Sequence, residues 1–117
     1  MFLQLNHKNL EAYKTARELV KSCYKVSLLL PIEEKYALAQ QIRRAVMSVK
    51  LNIAEGSSRK SEAERKRYFE IARGSVIEID AAFESAFDLT YFTSEQLEDI
   101  GKLINKTFGL LTGMMKP

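Results

Sequence analysis

The chain has 117 residues, one His, one Cys and a formal net charge of +3. That length suits one domain with a core of its own, a single Cys excludes an internal disulfide, and no run approaches the roughly 18 apolar residues of a membrane span. Two Pro and five Gly among plentiful Ala, Leu, Glu, Lys and Arg favour helix throughout.

Four periodic runs follow in chain order. The first, about residues 9–30, starts after Asn9 as N-cap, and Ala12, Ala16, Leu19, Cys23, Val26 and Leu30 step by four and three, the spacing of a buried helical face. Pro31 is expected to end it, because the residue before a proline is pushed out of the α region. The second, about residues 32–55, carries Leu38, Ile42, Ala45, Val49 and Ile53. Gly56 is expected to end it as a left-handed C′ residue. The third, about residues 61–91, opens with Ser61 and Glu64 spaced as a capping box. Its seam is Phe69, Ala72, Val76, Ile79, Phe83 and Ala86. The fourth, about residues 94–114, uses Leu97, Ile100, Ile104, Phe108 and Leu111. Short connections make consecutive helices antiparallel, so the expected fold is an all-α, up-down-up-down four-helix bundle in a single domain, residues 1–117.

The second helix has more than one face. Met47, Leu51 and Ala54 form an apolar strip beside the core face, a candidate subunit interface because exposed apolar strips mark partners. Gln41, Arg44, Ser48, Asn52 and Glu55 form a continuous polar stripe. The third helix has a matching second stripe of Ile71, Ser75, Glu78, Ala82, Ser85 and Leu89. The polar stripe admits two accounts. In one, Ser48, Asn52 and Glu55 meet Arg73, Ser75 or Glu78 in a hydrogen-bonded network that fixes helix register. In the other, the stripe lines a channel for a ligand or RNA.

Charge is distributed unevenly. Arg43 to Arg73 holds nine Lys and Arg against four acids, whereas Gly74 to Pro117 holds three against seven. Such asymmetry points to an anionic partner or to complementary surfaces between subunits. The basic side chains are Arg43 and Lys50, next to the second helix's core face, and Arg59, Lys60, Arg65, Lys66 and Arg67 around the turn into the third helix. Free backbone N–H groups at that helix start would add to their attraction for phosphate. Stacking platforms are missing from the cluster apart from the adjacent Tyr68, so backbone binding of RNA or DNA is expected rather than sequence readout. The alternative is a scaffold for a protein partner with no nucleic acid.

Catalytic parts are scarce. His7 stands alone, Cys23 falls on a core seam, and no P-loop, dinucleotide turn or paired Cys/His spacing occurs. The expectation is a non-enzyme with no cofactor and no metal. The opening "MFLQLNHKNLEAYK" lacks a basic lead into an apolar run, so no signal peptide is expected. With a lone thiol suited to a reducing compartment, the protein is expected to be cytoplasmic, with no membrane partner.

The stretch "LPIEEKYALAQQIRRAVMSVKLNIAEGSSRKSEAERKRYFEIARGSVIEID" carries Q-x-R-R, S-x-x-x-N-I-A-E-G and A-R-G-S in that order. It resembles the ribosomal-protein-like four-helix-bundle proteins encoded in bacterial 23S rRNA intervening sequences. The resemblance extends from "KNLEAYKTARELV" through the fourth helix. It marks Gln41, Arg43, Arg44, Ser48, Asn52, Glu55, Gly56, Ala72, Arg73, Gly74, Ser75 and Glu78. One departure is "VKLN", where relatives more often read "IPxN"; Lys50 in place of a kinking proline implies a straighter helix. The resemblance implies a homopentamer and association with RNA. It also implies kinship with the accessory variability determinant of diversity-generating retroelements, a basic barrel that works with nucleic acid and a reverse transcriptase. It transfers no catalytic residue.

Overall fold

The computed structural model describes residues 2–117. Four α-helices carry these residues, and no strand occurs among them: α1 is Glu11–Ser27, α2 Leu38–Ser57, α3 Glu62–Asp88 and α4 Ser94–Met114. Short 3-10 turns at Asn6–Asn9 and Ile32–Glu34 precede α1 and α2. With 27 residues at about 1.5 Å each, α3 extends some 40 Å, close to the 44 Å long dimension of the molecule.

The apolar seams meet in one core. Leu19, Cys23, Ile42, Val46, Val49, Ile53, Val76, Ile79, Ile100 and Leu111 are all buried there. In sequence order each helix packs on the next, and α1 also packs on α4. Neither α1 and α3 nor α2 and α4 approach closely among the described residues, so the helices occupy the corners of a square.

Helix ends depart from the sequence expectations in instructive ways. Leu10, not Asn9, caps α1, because Asn9 is taken up in the preceding 3-10 turn. α1 stops at Ser27, four residues before Pro31, where the Ser27 hydroxyl turns back onto the Tyr24 carbonyl at 2.9 Å. α2 starts only at Leu38, since Ala37 leaves the helical region (φ −120°, ψ −99°). Glu34 reaches forward to accept the Leu38 N–H at 3.4 Å. Ser61 caps α3 as expected, its hydroxyl accepting the Glu64 N–H at 3.1 Å, but the Glu64 carboxylate does not return to the Ser61 N–H, so only half of the expected capping box forms.

Gly56 is the main correction. It lies inside α2 with ordinary negative φ, and α2 runs past it to Ser57. Glycine is required there by proximity: a Cβ would come within 2.8 Å of Tyr68 Cβ and 2.9 Å of the Phe69 ring. The left-handed position is Thr90 instead, at φ 65°. Thr90 N–H to Phe87 O and Tyr91 N–H to Ala86 O, both 2.9 Å, close α3 in a Schellman motif.

In α4 the periodicity misleads once. Phe108 is 38 % exposed, while Thr107 takes the buried place and donates its hydroxyl to the Leu103 carbonyl at 2.6 Å. No helix is long and apolar enough to cross a membrane among the described residues.

Candidate nucleic-acid interface at the α2–α3 turn

α3 packs on α2 with a close approach at Gly56, and the turn between them carries the basic cluster. The seven expected cations separate into three groups by what they touch. Arg43 and Lys50 lean onto α1, over the rings of Tyr24 and Tyr13 at 6.0 and 5.9 Å to the centroids. Such cation–π contacts anchor the hydrocarbon stems and leave the charge at the helix edge.

Arg59 and Arg65 hold the turn together. Arg59 pairs with Glu55 at 3.0 Å, donates to the Tyr68 hydroxyl at 3.2 Å, and stacks over the Tyr68 ring at 5.0 Å. Its Nε is buried without a partner. Arg65 Nη1 donates to the carbonyls of Arg59 and Lys60, at 3.0 and 2.8 Å. Those carbonyls would otherwise be orphaned where the chain leaves α2. Lys60, Lys66 and Arg67 remain. They are exposed and form no ion pair among the described residues. The i,i+4 partner available to Lys66, Glu62, is not engaged.

The polar stripe divides as well. Ser75 donates to the Ser48 hydroxyl at 3.0 Å, and Asn52 Nδ2 donates to the same hydroxyl at 3.0 Å and to the Ser48 carbonyl at 2.8 Å. These three half-buried side chains fasten α2 to α3. Glu55 is exposed and turned to Arg59 on its own side of the turn. Arg73 faces α4, where it donates to Thr112 Oγ1 at 3.3 Å and covers Phe108 at 5.5 Å. Gln41, Arg44 and Glu78 are exposed and open, with Tyr36 and Gln40, onto a shallow cleft of about 370 Å³. One stripe on the helical wheel is therefore three local arrangements in space.

Along the apolar strip, Leu51 is 57 % exposed, while Met47 and Ala54 are half-buried. Leu3 and Leu5 border the same region, closing a groove of about 630 Å³ with Leu51, Ala54 and Tyr68.

The isolated reactive groups have structural environments. Burial pushes the Cys23 thiol up to about 12. His7 packs edge-on against Tyr13 at 4.7 Å, and desolvation, then neighbouring Lys8, lowers its pKa. Among the described residues no three His, Cys, Asp or Glu side chains converge as a metal site would need.

Sequence reasoning misses two features. Tyr91 donates its hydroxyl to Glu34 at 2.8 Å, pinning the α3–α4 connection to the α1–α2 connection. No short-range pattern reports a contact across 57 positions. Thr93 and Gln96 form a full capping box at the start of α4, and that T-x-x-Q spacing is visible in the sequence.

The family profile of the 23S rRNA-intervening sequence proteins matches residues 8–113. The chain belongs to that family. Among solved structures, the fold is similar to a protein of unknown function from the S23 ribosomal protein family of Bacteroides thetaiotaomicron, with a TM-score of 0.83. The two are 24 % identical over 91 % of this chain and 99 % of the other. No curated protein matches the sequence.

Proposed function

We propose that this member of the intervening-sequence family is a non-catalytic, cytoplasmic bundle whose helices run up-down-up-down. Copies assemble into a ring, five by the family resemblance, that holds nucleic acid by its backbone. The observation that carries the reading is the trio Lys60, Lys66 and Arg67, exposed around the start of α3 and free of carboxylate partners among the described residues. Unpaired cations at a helix start suit phosphate oxygens, and repeating them around a ring sums their field. The family's name ties it to 23S rRNA, which makes RNA the first polymer to test.

Lys66→Glu with Arg67→Glu is the discriminating variant, because Arg65 is engaged with backbone carbonyls and its loss would disturb the turn. In filter binding at low salt, the double variant is expected to lose at least roughly tenfold in RNA affinity, and the parent to weaken steeply with added salt. Equal binding by parent and variant would remove this surface from consideration.

A second reading rests on the groove between Leu51, Ala54, Leu3 and Leu5. Here the assembly is a scaffold for a protein and carries no nucleic acid. It is favoured if the purified parent shows a clean protein ultraviolet ratio together with a stoichiometric second polypeptide.

A further inference from the structure

Two surfaces outside the α2–α3 turn are complementary in charge and both expose apolar side chains. The first is the corner where α1 passes into α2. Leu28, Ile32 and Tyr36 are 75 %, 76 % and 80 % exposed there, with Tyr24 and Leu29 beside them. Lys21, Lys25 and Lys35 are exposed around this patch and enter no ion pair among the described residues. Of the two acids in the corner, Glu34 already accepts bonds from Leu38 and Tyr91, which leaves Glu33. The corner is thus apolar and net positive.

The second surface is a groove of about 270 Å³ between α3 and α4. Buried Phe83 and Ile100 lie beneath it, exposed Phe87 and half-buried Leu97 are its accessible apolar side chains, and exposed Asp80 and Glu84 line it too. Phe87 is 47 % exposed, and neither acid has a basic partner within ion-pair distance among the described residues. Exposed Phe87 and half-buried Leu97 between unpaired carboxylates suit a partner that brings apolar and basic side chains together.

Their placement in the fold limits how they can be used. In a square of helices the α1–α2 edge lies across from the α3–α4 edge. The Tyr91–Glu34 hydrogen bond places both connections at the same end of the molecule. Corner and groove therefore stand at one level on opposite sides. Surfaces so placed cannot meet reciprocally in a single two-fold contact. They join head to tail, an arrangement that gives a ring where the rotation closes and an open filament where it does not.

We propose that the acidic α3–α4 groove of one copy receives the basic, apolar α1–α2 corner of the next. This rests on the self-assembly part of the function proposed above and is independent of nucleic acid. Leu29 and Ile32 supply the apolar anchors, and Lys25 and Lys35 meet Asp80 and Glu84. Opposite charge sets the partner and the register, and burial of the apolar residues supplies the affinity.

A mixing experiment tests it. One variant carries Lys25→Glu and Lys35→Glu, the other Asp80→Lys and Glu84→Lys. All four positions are exposed, so circular dichroism is expected to match the parent. Each variant alone is expected at the monomer mass of 13.4 kDa. Mixed one to one, the intact groove of the first meets the intact corner of the second, the two reversed faces are complementary as well, and the mixture is expected to reassemble to a mass above the 13.4 kDa monomer. Should a charge-reversed variant lose its helical signal, the alanine forms at the same positions are read by the same criteria. Unchanged mass in either folded variant overturns the interface while leaving self-assembly intact. Monomeric variants that do not pair on mixing overturn it also, and a monomeric parent removes both the interface and the ring.

Discussion

Gly56 gives the sharpest test of the fold. Replacing it with Ala adds a methyl group 2.8 Å from Tyr68 Cβ and 2.9 Å from a Phe69 ring carbon. The first of these atoms is fixed to the α3 backbone, so the two helices must move apart at the turn. Overpacking of this kind costs about 1–3 kcal/mol, and the better helix propensity of Ala returns about 0.5–1 kcal/mol. The net is a loss of roughly 0.5–2 kcal/mol, or roughly 2–8 °C in Tm for a domain of this size. Gly74 is the internal control. It is exposed within α3 and nothing lies within 4 Å of where an added methyl group would sit, so Gly74→Ala is expected to raise Tm by a few degrees. Gly56→Asn separates the packing explanation from a left-handed cap. A cap tolerates Asn better than Ala, whereas a crowded helix contact suffers more from Asn. Thermal melts followed by circular dichroism read all three variants. Stability of Gly56→Ala equal to or above the parent, or Asn better tolerated than Ala, would refute the close-packing argument.

Thr90 holds a left-handed backbone with a β-branched side chain, so Thr90→Gly is expected to stabilise by about 1 kcal/mol in chemical denaturation; a loss would show that its side-chain contacts outweigh the backbone cost. Cys23 is buried with its thiol pushed up to about 12, so a thiol reagent at about pH 8 is expected to modify it only as fast as the protein unfolds. Rapid labelling of folded protein would contradict its core position. The hydrogen bond to Glu34, followed by desolvation and the charges of Glu34 and Glu33, raises the Tyr91 phenol above its usual value. A raised folded-state pKa contributes stability below the unfolded value of about 10, and that contribution is lost as pH rises through the folded value. Ultraviolet titration of Glu34→Gln is expected to move one phenol back toward its ordinary pKa, and an unchanged curve would dispose of the link between the two connections.

The core seams are legible in the sequence because they depend on local periodicity. Leu19, Ile42, Ile79 and Ile100 each belong to an apolar repeat at helical spacing in their own helix, and each is buried. Turn geometry is less accessible. An Ala-Glu-Gly sequence before two serines matches a left-handed helix end, but nothing local reports that Tyr68 and Phe69 return to within a methyl group of Gly56. Phe108 misleads for a related reason: periodicity favours it for the core, yet Arg73 arrives from α3 to cover its ring at the surface. The basic cluster is legible as composition and not as function. Charge counting gives Arg59, Arg65 and Lys66 equal weight, whereas the fold commits Arg59 and Arg65 to the turn and leaves Lys66 unpaired among the described residues. The polar stripe illustrates the same limit. A helical wheel places Glu55 beside Asn52, but only tertiary contact turns Asn52 toward Ser48 and Glu55 toward Arg59.

Self-association is the condition on which summed charge and the head-to-tail contact both depend. Light scattering coupled to size exclusion measures it directly on the full chain across protein concentrations. The expected mass is a closed multiple of 13.4 kDa, near fivefold, that holds steady on dilution through the micromolar range. A constant mass of 13.4 kDa at high concentration would contradict it.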